Sequence, residues 1–295
     1  MTYPISYHEP LFRPPSEAYS LILQATIGCS WNRCAFCEMY TTKKFSIRDI
    51  DEVKNEIGSM SEYKEDVRKV FLADGNAMTL STDYLLQLLK ELNETFPKLS
   101  RVSAYALPKD LLDKTDEELK QIREAGLKLI YVGIESGDDE VLRMVNKGET
   151  HESTIKGLMK AKEAGIKSSV MILSGLGGKI YSRQHAENSA KVVNAVQPEF
   201  LSTLVLSYPH GMEHFMKRFK GEFESCEIPE LLEELKIFIS NTELERSVFR
   251  SDHASNYLVL KGNLGRDKER MLDEIDAALN DPGDAGLRPE WLRGL

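Results

Sequence analysis

Short apolar runs alternate with amphipathic stretches through the first two thirds of the chain. The runs are mostly continuous and rich in Val, Ile and Leu, which is typical of strands buried on both faces of a parallel sheet. They lie at 20–26, 69–74, 101–107, 128–134, 168–174 and 200–207. Helical patterns separate them, for example at 83–96 and 116–126. This alternation predicts repeated β-α units.

Two segments repeat one local pattern. Residues 123–128 read REAGLK before LIYVGI, and residues 162–167 read KEAGIK before SSVMIL. In each, a helical stretch stops at a glycine, Gly126 or Gly165, where a helix end favours a left-handed residue. A strand pattern begins at once, so the echo indicates a repeated building block.

Six strand-helix units are fewer than the eight of a closed (β/α) barrel. The sequence therefore predicts an α/β fold, a partial (β/α)6 TIM-like barrel with a C-terminal α-rich extension, and ligands at the carboxyl ends of the strands. We expect an N-terminal extension at 1–19, the barrel at 20–208, a helical extension at 209–280 and a loosely ordered tail at 281–295.

Charge and composition narrow the class of protein. The 295 residues include 38 Lys and Arg against 47 Asp and Glu, a formal net charge of -9, which disfavours nucleic acid and anionic membranes as partners. No stretch approaches the roughly 20 apolar residues that cross a bilayer, and the N-terminus lacks a signal-peptide pattern. We expect a cytoplasmic protein, in a compartment that disfavours disulfides.

Three cysteines follow the first predicted strand directly. Cys29, Cys34 and Cys37 have Cys-x4-Cys-x2-Cys spacing, and soft sulfur ligands select iron–sulfur clusters or zinc. Three thiolates can reach three corners of one cubane and leave the fourth iron open for chemistry. Structural zinc takes four protein ligands, and no second cysteine pair stands at usable spacing, because Cys226 is isolated. The loop therefore favours an iron–sulfur cluster.

At this loop the chain resembles the radical S-adenosylmethionine superfamily, in the branch of Elongator, methylthiotransferase and coproporphyrinogen dehydrogenase proteins. The likeness rests on the position of the cysteines and on Phe36 before the last of them, and it covers about 21–206. Four residues in the first gap, instead of the usual three, mark an atypical member. The resemblance implies an oxygen-sensitive [4Fe–4S] cluster on Cys29, Cys34 and Cys37.

The resemblance also implies a reaction and partners. The cluster would cleave S-adenosyl-L-methionine (SAM) reductively to methionine and a 5′-deoxyadenosyl radical, which abstracts hydrogen from a small or medium organic substrate. An electron donor such as a flavodoxin or ferredoxin would supply the electron. The protein orients the cofactor and excludes water.

Further cofactor contacts are implied near the first two strands. Phe36 and Tyr40 would line the adenine, although packing beneath the loop explains Tyr40 equally well. Asp74, Gly75 and Asn76 stand where the family has a glycine-containing turn that bonds the methionine ammonium. An Asp-Gly pair is also an ordinary turn signal, so this motif gains weight only from its place at a strand end.

Later strand ends carry the remaining candidates. Glu135 ends a buried strand, where an unpaired carboxylate is costly, so we expect it to contact cofactor or substrate. Under the resemblance, Lys147 replaces an arginine that pairs with the cofactor carboxylate, and Tyr105 replaces a ribose-binding acid. Gly175 and Gly177 would belong to a turn near the adenine. The alternatives are an exposed helix-end lysine, a core tyrosine and a plain β-α connection.

A polar cluster at 249–256 lies beyond the barrel pattern. His253 within it is a candidate catalytic acid-base group, and the alternative is a satisfied loop network. The leading interpretation is a radical SAM enzyme with an unidentified organic substrate. Its rivals are a porphyrin-directed enzyme like coproporphyrinogen dehydrogenase, a tRNA-modifying radical enzyme, whose second cysteine set is not seen in this sequence, and a non-enzymatic iron–sulfur module.

Overall fold

The computed structural model describes residues 4–294. The strands in this part of the chain are β1 (Leu21–Gln24), β2 (Thr26–Ile27), β3 (Ser46–Ile47), β4 (Lys69–Ala73), β5 (Arg101–Tyr105), β6 (Leu127–Glu135), β7 (Lys167–Ser174), β8 (Phe200–Val205), β9 (Val248–Ser251) and β10 (Leu260–Asn263). The helices are α1 (Ile50–Ser59), α2 (Thr82–Thr95), α3 (Pro108–Leu112), α4 (Asp116–Glu124), α5 (Asp139–Met144), α6 (His151–Glu163), α7 (Gly178–Val196), α8 (Met212–Arg218), α9 (Ile228–Ser240) and α10 (Lys268–Asn280).

Eight strands form one mostly parallel sheet in the order β1-β4-β5-β6-β7-β8-β9-β10, and β2 pairs with β3 separately. The mixed α/β prediction is confirmed, and the six apolar runs correspond to β1 and β4 to β8. The C-terminal region contains the expected helices, α8 to α10. It also adds β9, parallel to β8, and β10, antiparallel to β9.

Local signals in the sequence explain where helices begin and end. Asp49 and Ser81 accept hydrogen bonds from backbone N–H groups at the starts of α1 and α2, and Thr115 forms a capping box at α4. Gly126 and Gly165 have φ values of +119° and +80° after α4 and α6. The repeated helix-stop pattern is therefore present in the structure.

The chain divides into two compact units. Of the described residues, the first unit comprises 4–32, 39–132 and 156–168, and the second comprises 33–38, 133–155 and 169–294. Their boundaries fall within the cysteine loop and within β6, so the candidate site residues are divided between the units.

The first unit fills one face of its strands with aromatic side chains, and we call this the packed face. Phe71, Tyr105 and Tyr131 meet edge to face, with ring centroids 5.0 to 6.1 Å apart. Tyr7 and Leu11 from the N-terminal segment pack against the same cluster. The segment before β1 therefore contributes to the core of this unit.

A buried carboxylate completes the packed face. Glu17 is fully buried, and its Oε1 accepts hydrogen bonds from Arg101 Nη2 at 2.6 Å, Tyr131 Oη at 2.6 Å and Ser103 Oγ at 3.0 Å. Burying a carboxylate is costly unless donors and an opposite charge accompany it. Glu17 has both, so it ties the N-terminal segment to β5 and β6.

In the second unit, α9 packs against α7 and α10. The tail beyond α10, expected to be loosely ordered, instead makes specific hydrogen bonds. Arg288 Nη1 donates to the carbonyl oxygens of His253 and Asn256 at 2.6 and 2.8 Å, and Arg293 Nε donates to Ser255 O at 2.8 Å. The composition of the tail does not reveal these contacts, because they depend on distant carbonyl groups. No helix among residues 4–294 is long and apolar enough to span a membrane.

Candidate cofactor site

The four cysteines, all within the described residues, are thiols rather than disulfides. Cys34 is buried, and Cys29 and Cys37 are half-buried. Between residues 4 and 294, no three His, Cys, Asp or Glu side chains gather closely enough to chelate one metal ion.

In the first unit, Gly75 lies directly against Cys29. A Cβ atom at Gly75 would lie 2.6 Å from Cys29 Cβ and 2.8 Å from Cys29 Cα, so only glycine permits this approach. The Gly75 N–H also donates to Gly28 O at 3.0 Å. The turn after β4 thus supports the start of the cysteine loop.

Asp74 holds the same loop with one oxygen. Its Oδ2 accepts hydrogen bonds from Gly28 N at 2.9 Å and Lys43 Nζ at 2.8 Å. Its Oδ1 is buried and has no hydrogen-bond partner among the described residues. Lys43 was not singled out in the sequence as a partner of Asp74, because the two are 31 residues apart.

The Asn76 side chain is fully engaged in hydrogen bonds to the cysteine loop and to Asp110. Its Oδ1 accepts from Ser30 N at 2.9 Å, and its Nδ2 donates to Ser30 Oγ at 2.8 Å and Asp110 Oδ2 at 3.0 Å. Asp110 also accepts from Leu107 N at 2.9 Å, and burial raises the pKa of its carboxyl. Asp110 was not singled out in the sequence, although it stands two residues after Pro108, a residue favoured at the first position of a helix.

The two candidate tyrosines both occupy packed positions. Tyr40 is buried, with its ring edge-on to Phe12 at 5.6 Å. Tyr105 contacts the ring of Phe71 on the packed face. These contacts support the packing interpretation of each, and their cofactor roles stay predictions.

In the second unit, Glu135 is buried in a strained backbone conformation. It is buried, its φ is +65°, and its Oε2 lacks a hydrogen-bond partner within the described chain. A non-glycine residue in the left-handed region is strained, and such strain concentrates at functional sites. A Cβ atom at Gly133 would lie 1.9 Å from Glu135 Oε1, so Gly133 makes room for the carboxylate.

Lys147 forms a buried ion pair with Glu135. The Lys147 Nζ lies 3.3 Å from Glu135 Oε1 and 5.9 Å from the centre of the Phe36 ring. Burial lowers the pKa of Lys147, but Glu135 and the thiols of Cys34 and Cys37 raise it by more, so it stays charged. Burial also raises the pKa of Glu135, which the ammonium opposes. Lys147 is therefore not an exposed helix-end lysine.

The loop segment of the second unit is fixed by α8 and by the end of α5. Arg218 Nη2 donates to Cys34 O at 2.8 Å, and Arg218 Nη1 lies 3.4 Å from Glu38 Oε1. The Ala35 N–H donates to Val145 O at 2.8 Å. Arg218 was not singled out in the sequence as a loop contact, because its partner is 184 residues away.

The glycine turn after β7 is held by a carboxylate from α9. Gly175, with φ +79°, donates its N–H to Glu234 Oε1 at 2.7 Å, and Ser182 Oγ donates to Glu234 Oε2 at 2.7 Å. Gly177 precedes α7, where a Cβ atom would lie 3.0 Å from Tyr181 Cβ. The turn is therefore a tightly packed β-α connection with a fixed backbone.

A buried histidine reaches from this turn toward the end of β6. His185 Nδ1 lies 2.8 Å from Ser136 Oγ, and its Nε2 lies 3.7 Å from Glu234 Oε1. Ser136 directly follows Glu135 in the chain. This network, unseen in the sequence, joins two of the strand ends that carry candidate site residues.

His253 lies in a local hydrogen-bond network. Its Nδ1 lies 2.9 Å from Ser255 Oγ, and burial followed by the charge of Arg288 lowers the pKa of its imidazole. Asn256 accepts from Val205 N at 2.9 Å and donates to Thr203 O at 2.8 Å, which fixes β8. These contacts support the loop-network interpretation, and a catalytic role for His253 stays a prediction.

These features define a class of cluster-binding α/β proteins. The sheet is mostly parallel, a loop with three thiols follows its first strand, and a buried Glu-Lys ion pair lies at the end of β6. The model of the radical SAM superfamily matches residues 23–189. The chain therefore belongs to this superfamily, whose proteins use a [4Fe–4S] cluster and SAM.

Relatives and solved structures agree with this assignment. A putative methylthiotransferase of Methanocaldococcus jannaschii is 26% identical over 149 residues, 48% of this chain and 32% of the relative. The heme chaperone HemW of Bacillus subtilis is 24% identical over 142 residues, 48% of this chain and 37% of the relative. The chain spans about a third of the length of these curated relatives.

Among solved structures, coproporphyrinogen III oxidase (HemN) from Escherichia coli superposes with a TM-score of 0.59 at 19% identity. The match covers 75% of this chain and 51% of that one. This likeness shows the fold, and the relatives support the predicted branch of the superfamily.

The residues present fit both cofactors. The three loop thiols supply soft sulfur donors. Asp74 Oδ1 and Glu135 Oε2 are buried acceptors without partners in the described part of the chain, and a buried acceptor of this kind gains stability when a ligand donates to it. The amino and hydroxyl groups of SAM are such donors.

Proposed function

We propose that this chain is an enzyme that holds one [4Fe–4S] cluster on Cys29, Cys34 and Cys37 and cleaves SAM reductively. When bound, these cofactors supply methionine and a 5′-deoxyadenosyl radical, which abstracts hydrogen from a small or medium organic substrate. A flavodoxin- or ferredoxin-type donor in the cytoplasm supplies the electron. Superfamily membership supports the chemistry, and the residue assignments are our own.

The observation that carries the proposal is the strained, half-satisfied carboxylate of Glu135. A buried carboxylate with a left-handed backbone costs stability, and the Lys147 ion pair satisfies only one of its oxygens. In the proposed role, Glu135 Oε2 accepts a hydrogen bond from the amino group or ribose of SAM. Lys147 provides a fixed positive charge beside the thiols of Cys34 and Cys37.

Other residues position the loop and exclude water. Asp74, Gly75 and Asn76 fix the Cys29 side, and Arg218 fixes the backbone of Cys34. The second unit also has a buried apolar cluster that includes loop residues and side chains from the strand ends. Its members include Ala35, Val141, Met144, Val145, Leu173, Leu176, Leu206, Phe215 and Phe219, with Phe36 against it. Low local polarity strengthens the electrostatic contacts of a site.

A non-enzymatic role is the second candidate, and one observation favours it. A relative of this chain is named a heme chaperone, although it matches over only 37% of its own length. Porphyrin-directed and tRNA-modifying activities are further alternatives that rest only on the names of proteins matched in part, coproporphyrinogen III oxidase and a tRNA uridine(34) acetyltransferase of Methanocaldococcus infernus. A single assay separates the enzyme from the chaperone or carrier.

The test is anaerobic reconstitution with iron and sulfide, followed by dithionite, SAM and measurement of 5′-deoxyadenosine. We expect 5′-deoxyadenosine from the wild type and an intact cubane spectrum. Cys34→Ala should lose the cluster. Cys226→Ala is the matched control and should keep it, because Cys226 lies outside the loop and burial raises the pKa of its thiol to about 12.

Two results would contradict the proposal. A cubane that forms without any release of 5′-deoxyadenosine favours the non-enzymatic candidate. An intact cluster in Cys34→Ala contradicts the ligand assignment.

A further inference from the structure

The strands of the second unit leave one face accessible. Along β8 and β9, Leu201, Thr203 and Phe249 are buried, while Ser202 is only half-buried and Arg250 is exposed. Successive side chains point to opposite faces of a strand, so the second set shares one face. Parallel strands in α/β folds are normally covered on both faces. An accessible face is therefore unusual here, and we call it the open face.

The register of the strands places four residues of the open face in one row. Met171 on β7 pairs with Ser202 on β8, Ser202 pairs with Arg250 on β9, and Arg250 pairs with Lys261 on β10. Directly opposed residues on neighbouring strands carry their side chains on the same face. The row thus combines a thioether, a hydroxyl and two cationic groups.

The same face leads to the cysteine loop. Leu173 and Leu204 lie two residues beyond Met171 and Ser202, so they point to the same side of the sheet. Both belong to, or pack against, the apolar cluster that includes Ala35 and is contacted by Phe36. The row therefore lies on the side of the strands where the second unit packs its part of the loop.

Arg250 is the least compensated charge in the row. Its guanidinium makes one hydrogen bond, to Phe249 O at 3.3 Å, and no carboxylate of residues 4–294 lies within ion-pair distance. Lys261, by contrast, pairs with Asp252 at 2.9 Å. A planar guanidinium with unused donors binds carboxylates and phosphates in a bidentate manner.

We propose that Met171, Ser202, Arg250 and Lys261 form the substrate subsite, and that the substrate carries a carboxylate or phosphate group bound by Arg250. Ser202 Oγ, which makes a long hydrogen bond to Val170 O at 3.4 Å, adds a second polar group, and Met171 provides an adaptable apolar contact for the rest of the molecule. The subsite rests on the proposed function for the reaction that follows, but anion binding itself does not require the cluster.

The first test measures anion binding by thermal unfolding of the full chain, with pyrophosphate and citrate as separate probes. A ligand that binds the folded state raises the unfolding midpoint. Arg250→Gln should weaken the response about tenfold or more in apparent affinity, since it removes a charge-assisted hydrogen bond. Arg250→Lys should retain part of the response. Arg246→Gln, an exposed arginine just before β9, is the matched control and should respond as the wild type.

A response to pyrophosphate alone supports a phosphate ester, and a response to citrate alone supports a carboxylate. An Arg250→Gln protein that responds like the wild type overturns the subsite. If Arg250→Gln does not fold, Arg250→Lys decides the question. An anion response equal to that of the wild type, or a loss that Arg246→Gln matches, overturns the subsite. A midpoint shift with tRNA but with neither small anion overturns it in favour of nucleic acid.

A second test uses the reconstituted enzyme. The anionic fraction of a metabolite extract should stimulate 5′-deoxyadenosine formation, and stimulation confined to the neutral fraction overturns the substrate class. The two proposals fail separately. Absence of 5′-deoxyadenosine in every fraction, with Arg250-dependent anion binding intact, contradicts the enzyme and leaves the anion site standing.

Discussion

The packed face of the first unit and the open face of the second differ in how a strand arginine is paired. Arg101 on β5 meets the buried carboxylate of Glu17, supplied by the segment before β1. Arg250 on β9 has no acidic partner among the described residues and is exposed. The same residue type thus forms an internal ion pair in one unit and leaves its donors unused in the other.

This difference in pairing indicates which face is available for a ligand. A charge inside a protein is tolerated only with an opposite charge and hydrogen bonds, and the packed face meets this condition from its own chain. Arg250 on the open face has neither a covering segment nor a counter-charge among the described residues. A substrate with an anionic group would supply both.

Removing the Glu17 carboxylate should give the largest effect on stability. Glu17→Ala leaves the Arg101, Ser103 and Tyr131 donors without their common acceptor, and we expect a loss of about 3 kcal/mol or more in the free energy of unfolding. Urea denaturation followed by circular dichroism measures it. Arg250→Ala is the matched change on the open face and should stay within about 0.5 kcal/mol. Equal losses would contradict the distinction between the faces.

A substitution at Gly133, in the last part of β6, should affect cofactor binding more than folding. In Gly133→Ala the new Cβ atom displaces the Glu135 carboxylate, and we expect an overpacking cost of about 1–3 kcal/mol and a loss of SAM binding in equilibrium dialysis. Gly58→Ala in α1 is the control, because a Cβ atom there meets nothing within 4 Å. It should raise the unfolding free energy by about 0.5–1 kcal/mol. Undiminished SAM binding in Gly133→Ala would contradict the role of Glu135.

Sequence patterns predicted the strands of the large sheet that are continuous apolar runs and missed β9 and β10, which are not. β1 and β4 to β8 are runs of apolar residues. β9 reads VFRS and β10 reads LKGN, because the open face tolerates Arg250 and Lys261. A short strand with one accessible face has too few apolar positions to be recognised from its own sequence.

The candidate site divides in a similar way. The cysteines, Gly75, Glu135 and Lys147 could be proposed from the sequence because they lie at or near strand ends in a motif order, and their cofactor roles stay predictions. Arg218 and Glu234 were missed, since their contacts with Cys34 O and Gly175 N join residues 184 and 59 positions apart. No local pattern encodes such contacts.

A smaller change on the packed face should measure how much one hydrogen bond of the Glu17 network contributes to stability. Tyr131→Phe keeps the ring but removes the hydroxyl that donates to Glu17 Oε1 and contacts Ser16 Oγ. We expect a loss of about 1.5 kcal/mol in unfolding free energy, less than for Glu17→Ala because Arg101 and Ser103 remain bonded. Tyr19→Phe is the control, because Tyr19 is fully exposed and should change nothing measurable. A loss as large as that of Glu17→Ala would contradict the shared network, because it would assign the whole stabilisation to the Tyr131 hydroxyl and none to Arg101 or Ser103.

The smallest effect concerns His253 in the loop beyond β9. Its pKa in the folded protein is lowered by burial and by Arg288, with Asp252 acting in the opposite direction. The unfolded chain therefore binds a proton more readily, so His253 contributes stability above its ordinary pKa near 6.5, and this contribution is lost as the pH falls below that value. His253→Gln should flatten the dependence of the unfolding midpoint on pH between about 7 and 5, relative to the wild type. A variant with the wild-type pH dependence but without substrate-stimulated 5′-deoxyadenosine would instead support the catalytic role, and it would extend the functional surface of the second unit from the open face to this loop.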